Sequence, residues 1–125
     1  MTGDMITFRD LPGGGNYLPN FEKRVTRRLA REFGRDPERF VSAALALGGE
    51  MAEFGDAGVK VWALPRVPLV FVLWKEDSEF PAEARVLFDS SVASYLCTED
   101  VIVLCQEVAG EIIRASLKET APKAG

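Results

Sequence analysis

The chain has 125 residues, 47% hydrophobic and 27% charged, with 15 basic and 19 acidic side chains and a net charge of −4. That is the length of a single domain able to bury a core without staples, and its acidic balance argues against general nucleic-acid binding. It has no histidine and two cysteines, which removes His general-base catalysis, a Ser-His or Cys-His nucleophile pair and a His-ligated metal.

Residues 5–9, "MITFR", alternate loosely and predict a short strand. The loop "LPGGGNYLP" follows, with Gly13, Gly14 and Gly15 in a row. Asn20 then suits an N-cap, and Phe21, Val25, Leu29 and Phe33 recur every four residues, the apolar stripe of a helix. Gly34 is placed to end it as a left-handed C′ residue. Asp36-Pro37 restarts a helix, as a cap followed by proline at its first position. Phe40, Val41, Ala44 and Leu45 give that second helix its buried face, and Gly48-Gly49 stops it.

The period then changes. Residues 50–64 read as two short strands around Gly55-Asp56, with Val59, Val61 and Ala63 on one face. Val67–Trp74, "VPLVFVLW", is continuously apolar, as for a central strand covered on both faces. It is too short to cross a bilayer as a helix. A polar excursion, "KEDSEFPAE", leads to a further strand in "ARVLFD". "SSVASYL" reads as irregular or as a short helical turn. Thr98 is placed as the N-cap of a long helix running to about Lys118, with Glu99 and Asp100 in its first turn. Its wide apolar face predicts packing across a sheet. The fold class is α+β: a small antiparallel sheet of three to five strands, with two N-terminal helices and one long C-terminal helix packed on it. Residues 1–119 are read as one domain and 120–125 as a disordered tail.

The glycine loop is neither a P-loop nor a dinucleotide fingerprint. With Lys23, Arg24, Arg27 and Arg28 just beyond it, the loop could hold an anion, since free N–H groups near a helix start favour one. The plainer reading is a turn that needs positive φ. The basic residues, extended by Arg31, could equally dock an acidic partner or form a solvated helix face. Glu76, Asp77 and Glu79 could bind a cation or act as acid and base, but a loop of solvated carboxylates is the default. Cys97 precedes a helix start, where a thiolate is favoured, with no base nearby in sequence. Cys105 falls on an apolar helix face and reads as core. No metal or cofactor site is implied, and no amino-terminal stretch shows the charged-then-apolar pattern of a signal peptide, so the expected compartment is the cytoplasm.

"FRDLPGGGNYLPNFEKR", "FGRDPERF", "ALGGE", "LPRVPLVFVLWKEDSEFPAEARVLFDSSVASYL" and "TEDVIVL" together resemble domain-of-unknown-function family 3786, of anaerobic bacteria and archaea. The resemblance spans about residues 6–113, and its most specific part is the segment from Pro65 to Val92. It implies a cytoplasmic prokaryotic protein, in a family with members joined to, or encoded near, iron–sulfur and corrinoid proteins of one-carbon metabolism. It carries over no catalytic residue. Two cysteines cannot hold a four-cysteine cluster. Family members look longer at the amino terminus, so a preceding segment is expected to be missing. The surface it would cover, beside "MITFR" and around Tyr17, Leu18 and Phe80, is then open to a partner.

The leading reading is a non-enzymatic accessory or protein-interaction domain of anaerobic metabolism, self-associating or bound to a protein partner, with no nucleic acid and no membrane. One alternative is a domain binding a small anionic ligand or cofactor through Gly13, Gly14, Gly15 and the basic helix. The other is a carboxylate-based enzyme around Asp77 and Glu79. The balance leans against an enzyme.

Overall fold

The strand Val67–Trp74 (β4) organises the molecule. In the computed structural model, which describes residues 4–120, it is the middle strand of a five-stranded antiparallel sheet. The others are β1 (Met5–Thr7), β2 (Glu50–Met51), β3 (Ala57–Leu64) and β5 (Glu83–Asp89), in the order β1-β5-β4-β3-β2. The four later strands form a meander, and β1 closes the far edge by pairing with β5, Ile6 opposite Phe88.

Strand alternation sorts β4 into two faces. Leu69, Phe71 and Leu73 join the main core, with Val61, Val59 and Ala57 opposite them on β3 and Phe88, Val86 and Ala84 on β5. The helices cover this face alone. The first helix runs from α1 (Gly14–Phe21) through a wider π-helical turn (Glu22–Thr26) into α2 (Arg27–Phe33), and buries Phe21, Val25, Leu29 and Phe33. Phe21 stacks on Phe8, ring centroids 4.1 Å apart. Helix α3 (Pro37–Ala46) starts as the sequence requires, with Pro37 in the first turn and the Asp36 carboxylate accepting from the Arg39 N–H at 3.2 Å. It lies on β2 and β3, while α2 lies on β4 and β5.

Several expectations are refined. The first helix begins at Gly14, not after Asn20, so Pro19 and Asn20 lie inside it. Gly34 is right-handed (φ −61°), so it is not a left-handed cap. A Cβ there would come within 2.4 Å of the Ala30 carbonyl oxygen and of Ala82 Cβ, so close packing of α2 on the segment before β5 requires the glycine. Leu45, placed on the buried face of α3, is exposed, and Ala43 takes its place. The last helix, α4 (Thr98–Thr120), packs chiefly against α3, with further contacts to the π-turn, α1 and α2. The helix layer, more than the sheet, therefore receives its apolar face. The expected tail, apart from Thr120, lies outside the described residues. No helix among the described residues is long and apolar enough to cross a membrane.

Phe71 has no exposed surface and sits at the centre of the core face. Truncating it to alanine is expected to lower unfolding free energy by about 3–5 kcal/mol, read from urea denaturation.

Candidate functional site

The three glycines do separate structural work. Gly13 caps α1 with φ +70°, the left-handed conformation that glycine adopts without penalty. Gly14 lies against the turn before it: a Cβ would stand 2.2 Å from the Phe8 carbonyl oxygen and 2.9 Å from that of Arg9. Gly15 faces open space. Three amides at this helix start already have acceptors. Gly14 N–H donates to the Leu11 carbonyl, and the Asn16 and Tyr17 N–H groups both donate to that of Gly13. The loop is also tied to α4: the Thr98 hydroxyl donates to the Pro12 carbonyl at 2.5 Å, and Tyr17 Oη donates to Glu99 Oε1 at 2.9 Å. That second bond raises the Tyr17 pKa, because the neighbouring carboxylate favours the neutral phenol.

The basic residues do not converge on the loop. Lys23, Arg24 and Arg27 are exposed. Arg28 is half-buried against α4, where its Nη1 and that of Arg114 stand 3.7 and 3.2 Å from the point a Cβ on Gly110 would occupy. Arg27 turns the other way, into a cleft beside β5 that it shares with Arg9. A contiguous run in sequence thus becomes charges on different sides of one helix.

The acidic loop is held by its own backbone. Asp77 Oδ1 accepts from the N–H groups of Glu79 and Phe80, at 2.8 and 2.7 Å. Glu76 pairs with Arg35 at 2.6 Å. Glu79 is exposed. Asp77 is thereby a turn-former, as Asp often is. Among the described residues no group of three or more His, Cys, Asp or Glu side chains is placed to hold a metal ion.

The sheet face away from the helices was not singled out by any motif. It presents Pro68, Val70, Val72 and Trp74 from β4, flanked by Lys60 and Trp62 on β3 and by Arg85 and Leu87 on β5. Both tryptophans of the chain lie here. Each carries a cation: Lys60 Nζ stands 4.8 Å from the Trp62 ring, and the Arg85 guanidinium 5.8 Å from that of Trp74. Val70 and Val72 are buried although no helix lies over them. The loop at Gly55 rests on this face, close to Val72 and Trp74. On the same face Met5 and Trp62 remain 40% and 39% exposed. Of the loop residues expected to be open, Tyr17 and Phe80 are exposed and Leu18 packs partly against the core. The available signal was the pairing of a wholly apolar strand with only enough helix to cover one of its sides.

Cys97 is exposed, and its Sγ donates to Asp100 Oδ2 at 3.1 Å. Cys105 is buried, which pushes its thiol pKa far up.

A family model, described as Domain of unknown function (DUF3786), matches residues 1–111. No curated protein and no solved structure is matched.

Two outcomes follow from this geometry. Gly14→Ala is expected to destabilise the protein by about 1–3 kcal/mol through the clash with the Phe8 carbonyl, while Gly15→Ala stays within about 0.5 kcal/mol, both from chemical denaturation. A thiol reagent such as Ellman's is expected to modify Cys97 alone in the native protein, and Cys105 only on unfolding, because burial holds it protonated and inaccessible.

Proposed function

The chain belongs to the DUF3786 family, and we propose that it works as a non-enzymatic protein-interaction domain whose contact surface is the helix-free face of the sheet. The carrying observation is that both tryptophans, each under a cation, lie on that face around the buried Val70 and Val72, with Trp62 and Met5 still exposed. Tryptophan and arginine are the residue types that dominate the energetics of protein interfaces. A desolvated partner surface would strengthen both cation–π contacts.

The partner we put forward is a second copy of the chain. The face carries both signs, Lys60 beside Glu50 across β2 and β3, and Arg85 ion-paired to Glu83 on β5. A surface with interspersed charges is complementary to itself under a two-fold axis. A stable contact of this kind buries on the order of 1,200 Å² or more in total. An accessory role in the cytoplasm of an anaerobe, near iron–sulfur or corrinoid proteins, is what the family resemblance implies. The carboxylate-enzyme reading loses its motive, because Asp77 is committed to its turn.

Sedimentation velocity on the purified chain tests the proposal. A dimer at micromolar concentration is expected, with the tryptophans shielded from acrylamide quenching. Trp62→Ala is expected to weaken association by at least about tenfold, as loss of an interface anchor does. A monomer that persists to about 100 μM, with freely quenched tryptophans, overturns self-association.

A further inference from the structure

The stripe Phe21, Val25, Leu29, Phe33 repeats every four residues. In a regular α-helix that spacing rotates by about 40° per step and would carry the stripe off the core. The structure removes the drift with the π-turn, in which the Arg27 N–H donates to the Glu22 carbonyl five residues back. All four side chains stay buried. The insertion has a second effect: Thr26, beside Val25, is also turned inward and is only 7% exposed.

Thr26 lines an open cleft of about 350 Å³ between the first helix and β5. Strand β1 stops at Thr7, opposite Leu87, so β5 has no partner strand on this side from Glu83 to Val86. The open edge presents unpaired backbone groups to the cleft. Phe8, Phe21, Leu18 and Val86 supply apolar walls. The charged side chains on this side are Arg9 and Arg27 with Glu22, while Glu83 and Arg85 border the cleft along β5 with their side chains on the helix-free face. Arg85 is already paired with Glu83 at 3.2 Å. Arg9 and Arg27 make no ion pair among the described residues. The lining therefore carries one net positive charge, held by two available guanidinium groups above an apolar wall.

We propose that this cleft binds a small organic acid: one carboxylate joined to an apolar body. The guanidinium fork matches a carboxylate in geometry as well as charge. Glu22 would repel a polyanion, so the lining favours a single negative charge. A volume of this size suits a compact ligand, and a mostly apolar wall with a few placed polar groups is what small-molecule sites have. Thr26 would donate its hydroxyl proton to the carboxylate. This inference does not rest on the sheet-face proposal.

Phenylacetate is the probe, followed by amide chemical shifts of the isotope-labelled chain. Saturable binding is expected, with shifts concentrated in the π-turn and in residues 84–86. The double variant Arg9→Gln/Arg27→Gln is expected to weaken binding at least about tenfold, since each removes a charge-assisted hydrogen bond. Both positions are exposed, so its melting curve should match the parent. Thr26→Val should weaken binding severalfold. Phenylacetamide and inorganic phosphate are expected to bind more weakly than phenylacetate. Absence of shifts up to about 10 mM phenylacetate overturns the proposal, as does equal binding by the folded double variant. Equal binding by phenylacetamide or phosphate also overturns it, since charge or apolar body would then be irrelevant.

Discussion

A single antiparallel sheet has two faces, and this chain supplies helices to only one of them. The strand β4 is apolar on both sides, so Leu69, Phe71 and Leu73 lie under the helices while Val70 and Val72 need another cover. Burying each such side chain is worth about 1.5–3 kcal/mol, too much to leave in water. The chain meets the need with long side chains from the neighbouring strands and with the loop at Gly55. Lys60 and Arg85 place their cations over indole rings beside the valines, and long side chains of this kind can cover apolar surface without a second helical layer.

The helical face imposes its own constraint. A stripe of four large residues at four-residue spacing must stay on one line above the strands. The helix accommodates it by widening one turn. That turn follows Pro19, which already removes one backbone donor from the ladder. At its start the helix approaches the Phe8–Asp10 turn so closely that only glycine fits at 14. The π-turn, the proline and the glycine all belong to one packing solution, and it leaves Thr26 and the open edge of β5 facing each other.

Several aspartates hold the backbone at turns and strand ends. Asp10 accepts from the Thr7 N–H at 2.9 Å, Asp56 from the Lys75 N–H at 2.7 Å, and Asp77 from two amides of its own loop. These bonds satisfy backbone donors at turns and strand ends, where the ladders stop. The ion pairs Arg35–Glu76 and Arg85–Glu83 are largely exposed, and exposed pairs contribute little to stability.

Local rules and the apolar pattern determined a good deal without the structure. Asp36-Pro37 fixed the start of α3, because cap and proline act within one turn. Val67–Trp74 declared the central strand, because a wholly apolar run has to be covered on both sides. The α+β class and the one-sided placement of helices followed from the order of periods. Tertiary structure alone decided the rest. The helix start moved from Asn20 to Gly14 because the glycine run packs against the Phe8–Asp10 turn, a contact that no local propensity encodes. The four-residue spacing was visible, but whether it would drift or force a π-turn depends on what lies beneath the helix. The basic run parted, Arg27 toward β5 and Arg28 toward α4, because adjacent positions on a helix point about 100° apart. And the two tryptophans, twelve residues apart in sequence, share a surface only because the β3–β4 register places both on the side the helices leave open.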